Sequence, residues 1–191
     1  MTRRIFLLAQ LSFLLSCCLN AASHPLQTRD HLTLKEIDLV KDAQELDKRV
    51  DVFIKAANRR LLAIKRLDAA STKEINKDAE LWGDLPSGSR SDLVGDIAKI
   101  LDEAITNIDD VSSRDEKNPA LPRALRKLAA AASRIIDQLK PLQAQAADTA
   151  EIGNFDQAME NAETIVQAAS KLAPEVVQKG NKRGEQAKET H

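Results

Sequence analysis

Between Leu121 and Leu142 the apolar residues fall at alternating spacings of four and three: Leu121, Leu125, Leu128, Ala132, Ile135, Leu139, Leu142. A helix repeats every 3.6 residues, so this spacing lays all seven on one seam. A strand, with its period of two, would scatter them over both faces. The seam must be buried against something, and the economical partners are other helices with seams of their own.

Two further stretches repeat the pattern. Ile37, Val40, Ala43, Leu46, Val50, Phe53, Ala57, Leu61, Ile64 and Leu67 recur at three or four residues. The spacing predicts one continuous helix starting after the capping box Thr33-Leu34-Lys35-Glu36. Ser71-Thr72-Lys73-Glu74 is a second capping box, opening a short helix to Trp82 or prolonging the first. Gly83 to Ser91 breaks any period with Pro86, Gly88 and three serines, one of which, Ser89 or Ser91, caps the next helix. That helix carries Leu93, Val94, Ile97, Ile100, Leu101, Ala104, Ile105, Ile108 and Val111. A polar loop is expected over 112–118, and Asn118-Pro119 starts the seam helix. Pro141 is expected to break or kink its end. Gly153-Asn154 is expected to close an Ala-rich helical stretch and open the last helix, with Phe155, Ala158, Met159, Ala162, Ile165, Val166, Ala169 and Leu172 facing inward.

Aromatics make up 3% of the 191 residues, Gly and Pro number six each, and Tyr is absent. That argues against a sandwich or barrel, which needs β-formers and turn glycines. The expected fold is all-α, an antiparallel bundle of three to four long amphipathic helices after a cleaved N-terminal signal. Its organisation reads as a signal peptide over 1–23, an extended lead-in over 24–32, a helical bundle domain over 33–178 and a disordered charged tail over 179–191.

The first 23 residues read as an address. Arg3 and Arg4 precede the apolar run Ile5 to Leu15 and then small residues, the pattern of a secretory signal. Cleavage is expected after Ala21 or Ser23. Leu14-Leu15-Ser16-Cys17 resembles a bacterial lipobox, which makes Cys17 a candidate lipid anchor, and Thr2 to Leu7 resembles the twin-arginine export motif. Both cysteines, Cys17 and Cys18, lie in this segment, so signal cleavage removes every thiol. Without Arg3 and Arg4 the chain keeps 26 basic against 29 acidic residues, a net charge of -3. No nucleic-acid partner is expected from that balance. No Asn-x-Ser/Thr sequon occurs, which favours a bacterial exported protein.

Catalytic and cofactor signals are sparse. The three histidines, His24, His31 and His191, sit near chain ends, away from every helix stripe. His24 as a new N-terminus, together with His31, is a weak copper-binding pattern. Asp102-Glu103, Asp109-Asp110 and Asp115-Glu116 read as solvated polar faces rather than acid–base pairs. Ser87-Gly88-Ser89 has no histidine base nearby and no phosphate loop is present. Arg59-Arg60 with Lys65-Arg66, and Arg123 with Arg126-Lys127, read as solvated basic faces. Trp82, the only Trp, is the candidate partner contact, against the alternative of capping one end of the bundle. Gly153 to Met159, with Ala162 and Ile165, resembles the turn and second helix of a tetratricopeptide repeat. The resemblance covers about 20 residues without a second copy, and a peptide-binding surface is what it implies.

The function expected from these readings is that of a non-enzymatic bundle, periplasmic or secreted, working by protein–protein contact or as a structural element. No catalytic, cofactor or metal residue is assigned, and the protein partner is unknown. A lipid-anchored envelope adaptor is the alternative, touching the membrane only through Cys17, and a homo-oligomer is open.

Overall fold

A computed structural model describes residues 30–68 and 79–173, and the helical unit begins at His31. The signal segment, the lead-in before Asp30, the capping box at Ser71 and the charged tail lie outside the described residues. Those described form six helices and no strand: α1 (Leu34–Asp42), α2 (Leu46–Asp68), α3 (Ala79–Trp82), α4 (Arg90–Arg114), α5 (Ala120–Gln143) and α6 (Thr149–Ser170).

The expected single first helix is two helices. Thr33 caps α1 as read, its Oγ1 accepting from the Glu36 amide while the Glu36 carboxylate accepts from the Thr33 amide. At Ala43 the backbone leaves the helical region (φ -77°, ψ 86°), and the chain turns back before α2. In one continuous helix Glu36 and Arg59 would stand about 35 Å apart. Here Arg59 Nε donates to Glu36 Oε1 at 3.0 Å, so α1 folds back on α2. No Gly or Pro marks the reversal. The free Ala43 carbonyl is instead satisfied by Arg49 Nε at 3.1 Å.

Cross-helix bonds give the directions of the four long helices. Arg49 meets Asn107 and Arg60 lies near Asp96, so α2 and α4 are antiparallel. Gln143 meets Asp156 and Arg126 meets the Ala173 carbonyl, so α5 and α6 are antiparallel as well. The other lateral contacts are parallel. Asp47 pairs with Arg123, Asp51 with Lys127 and Lys65 with Gln138, joining α2 to α5. Arg90 pairs with Glu151, while Asn154 and Asn161 donate to the Ser91 and Ala98 carbonyls, joining α4 to α6. The order around the bundle is therefore α2, α4, α6, α5. Direction alternates along the chain, yet the short loop between α4 and α5 crosses the bundle diagonal rather than joining neighbours. Five extended residues reach about 17 Å, enough for that span.

The core is built from the predicted stripes. Val50, Phe53, Ala57, Leu61 and Ile64 of α2 meet Leu93, Val94, Ile97, Ile100, Leu101 and Ala104 of α4 and Leu128, Ala132, Ile135 and Leu139 of α5. Phe155, Ala158, Met159, Ala162 and Ile165 of α6 complete it. Leu125 and Leu142, at the margins of the α5 seam, are only partly buried.

Three local expectations are corrected. The helix α4 continues through Ser112 and Ser113 to Arg114, which shortens the loop. Pro141 does not break α5, which runs on to Gln143. In the last turn its missing N–H costs one bond next to carbonyls that would be unsatisfied anyway. Gly153 and Asn154 are not a turn but lie inside α6, whose N-cap is Asp148, its side chain accepting from the Glu151 amide. The turn assigned by the repeat resemblance is thus helix.

Gly95 sets how closely α4 approaches α6. A Cβ there would lie 3.2 Å from Asn154 Nδ2, the side chain that donates to Ser91. Replacing Gly95 by Leu is expected to cost about 1–3 kcal/mol by overpacking. Denaturant unfolding measures this, and adding Asn154→Ala should recover part of the loss.

Candidate functional site

The most unusual feature of the bundle is a set of buried charges. Glu36 is 0% exposed, Arg60 1%, Asp96 4% and Arg59 8%. Buried ions are costly unless paired and hydrogen-bonded. Two guanidiniums and two carboxylates sum to zero charge, and their bonds account for how that burial is sustained.

Glu36 reaches the site because it is the third residue of α1, where its Oε2 already accepts from the Thr33 amide. Its Oε1 accepts from Arg59 Nε at 3.0 Å and Arg60 Nη1 at 2.6 Å. Arg60 also donates to the Ala56 carbonyl and, through Nη2, to the His31 carbonyl at 2.6 Å. Its Nε lacks a hydrogen bond and faces Asp96 Oδ2 at 3.8 Å. Arg59 Nη2 is met by the Trp82, Gly83 and Asp84 carbonyls. Gly83 has φ 69°, a left-handed conformation that lets these successive carbonyls converge. One charged knot therefore ties together His31, α1, α2, α4 and the turn after α3.

Trp82 is part of the knot. It is 6% exposed, with the Lys55 ammonium 4.7 Å and the Arg59 guanidinium 5.7 Å from its ring. Two cations over the indole ring add attraction of about 0.5–2 kcal/mol each. The side chain proposed from sequence as a partner contact is thus covered by its own chain. Arg59 and Arg60 are likewise not a solvated basic face. Their apolar neighbours at the same helical register hid them, and Glu36, the missing acid, read only as half of a capping box.

The remaining sequence candidates are dispersed. His31 is half-buried and its Nε2 lies 2.7 Å from Glu103 Oε2, so one member of the Asp102-Glu103 pair has a partner while Asp102 is exposed. Asp109, Asp110, Asp115 and Glu116 are exposed. Ser89 caps α4 through Asp92. Cys17, His24 and His191 lie outside the described residues. Among the described residues no three His, Cys, Asp or Glu side chains gather as a metal site, and no helix is long and apolar enough to cross a membrane.

A second ion pair clamps the other loop. Arg90 Nε donates to Glu151 Oε1, Arg90 Nη2 donates to the Gln145 carbonyl, and Glu151 Oε2 accepts from the Ala147 amide. The Arg90 hydrogen bond, then the Ala147 amide, hold the Glu151 carboxyl below its ordinary range against the opposing effect of burial.

Glu36→Gln leaves two buried guanidiniums short of a counter-charge and should cost about 3–5 kcal/mol. Lys127→Ala, which breaks an exposed pair, should cost under about 1 kcal/mol. Chemical denaturation followed by Trp82 fluorescence compares them. For Glu151, the lowered folded-state pKa means that its stabilisation is present above the ordinary carboxylate range and is lost as pH falls below it. Glu151→Gln should therefore be the less stable protein at neutral pH and lose less of its stability on acidification, which melts recorded at neutral and acid pH can check.

No protein-family model, curated protein or solved structure matches the chain.

Proposed function

We propose that the chain is an exported helical-bundle protein, periplasmic or extracellular, that works by contact with another protein or as a structural element and performs no reaction of its own. The observation that carries this reading is how the buried charges are employed. Glu36, Arg59 and Arg60 bind one another, Thr33 and five backbone carbonyls. Their chemistry goes into holding segments of chain in place, the work of a scaffold. The exposed surface of the long helices is left for a partner.

The export half rests on Arg3, Arg4, the run Ile5 to Leu15 and the small residues after it. Cells expressing the full chain, fractionated and followed by intact mass, test it. The expected product starts at Ala22 or His24 and leaves the cytosol. A cytosolic product that keeps Met1 overturns export. A start at Cys17 with acyl mass replaces the soluble form by the lipid-anchored adaptor. Affinity capture from the envelope tests the contact half, and a stoichiometric tightly held metal or a hydrolytic activity in the purified protein would overturn it.

A further inference from the structure

The bundle is electrically divided along its length. The parallel neighbours α2 and α5 together carry twelve basic and four acidic residues. Their opposite numbers α4 and α6, also parallel neighbours, carry three basic and ten acidic residues, and α6 has no basic residue at all. Setting aside the buried Arg59, Arg60, Asp96 and Glu151 leaves ten basic against four acidic on one side and three against eight on the other. The two faces thus carry opposite charge, +6 and -5, in a chain whose formal net charge is -1.

This division is exposed. On the acidic side Asp102, Asp109, Asp110, Glu160 and Glu163 face solvent and make no ion pair among the described residues. On the basic side Lys48, Arg134 and Lys140 do the same. Each face also presents one large apolar side chain, Leu62 on α2 at 39% exposure and Ile152 on α6 at 44%. The four helices have 22 to 25 residues, so both faces are about 33–38 Å long. Two helices side by side are about 20 Å wide, so with α1 and Trp82 covering part of α2 each side offers at most about the 800 Å² per partner of a standard interface.

We propose that copies of this chain associate with one another, the α4/α6 face of one against the α2/α5 face of the next. A second copy is favoured over an anionic membrane because it uses both faces, whereas lipid headgroups would engage the basic side alone. The contact is heterologous, since the two surfaces differ, so it propagates from copy to copy or closes into a ring. Being mainly electrostatic, it is strong at low salt and screened at high salt. The proposal deepens the contact reading above by naming the partner.

The test is sedimentation velocity of the processed protein across concentrations, at about 0.01 M and about 1 M salt, where the screening length falls from about 30 Å to about 3 Å. The mass should grow with concentration at low salt and return to that of one chain at high salt. Glu160→Lys with Glu163→Lys takes the acidic face from -5 to -1, and Arg134→Glu with Lys140→Glu takes the basic face from +6 to +2, so each leaves one face intact and nearly discharges the other. Each double variant alone should lose association by at least about tenfold, and mixing the two should restore it. All these side chains are exposed, and circular dichroism confirms that the variants stay folded. A single-chain mass at low salt overturns the proposal, as does association that survives about 1 M salt or both reversals. Binding to phosphatidylglycerol vesicles by a chain that stays single would assign the basic face to lipid instead. Capture of a different protein by such a chain would also overturn self-association while leaving the contact reading intact.

Discussion

Burying Arg60 is the decision from which much of this fold follows. A guanidinium at 1% exposure needs a carboxylate, and α2 has none within reach on that face. One comes from upstream, Glu36, and one from across the bundle, Asp96. To deliver Glu36, the chain must reverse between α1 and α2. Once it does, Leu32 falls into the core and the His31 carbonyl meets Arg60. His31 and Leu32 are thus held by a hydrogen bond to Arg60 as much as by apolar burial. Such an arrangement gains little net stability over a well-packed apolar core, but it penalises any other path for the chain, because each alternative strands a charge.

The residues that face the core were legible in the sequence because burial of a helix leaves a periodic trace. Every residue read onto the α4 stripe is buried or packed against the core, and the five central inward positions of α6 are buried. The places where reading failed share a cause. A stripe reports which side is apolar and is silent on whether the axis continues. Val40, Ala43 and Leu46 keep the helical spacing straight across a reversal. Gly153-Asn154 carries the composition of a turn, yet lies in helix because Asn154 finds its partners at Ser91 on a neighbour no local rule can see. Arg59 and Arg60 read as surface because their compensating acid lies 23 and 24 residues upstream.

Charge balance was misleading for a related reason. A net charge of -1 suggests a featureless field, and α2 and α4 each carry both signs. The division emerges only when α4 is placed beside α6 and α2 beside α5, a consequence of the diagonal crossing between α4 and α5. Had each helix packed beside its sequence neighbours alone, basic and acidic helices would have alternated around the bundle and the faces would have cancelled.

That topology also has to be specified against its alternatives, and apolar packing alone does so weakly. The core is Leu, Ile, Val and Ala with two phenylalanines and Met159, and surfaces of this kind can slip by a turn, about 5.4 Å, with modest loss of contact. Polar bonds between helices cannot slip so cheaply, since each is directional and a buried one left unmade costs about 1–3 kcal/mol. They recur along each parallel seam. Arg90, Asn154 and Asn161 fix the first half of α6 on the first turns of α4, with Gly95 giving the clearance for Asn154. Asp47, Asp51 and Lys65 do the same for α5 on α2. Parallel seams are where such pins are most needed, because side-by-side helix dipoles pointing the same way repel. The apolar stripes therefore supply the drive to associate, and a sparse set of amides and charges selects the one register in which the two like-charged helix pairs lie side by side.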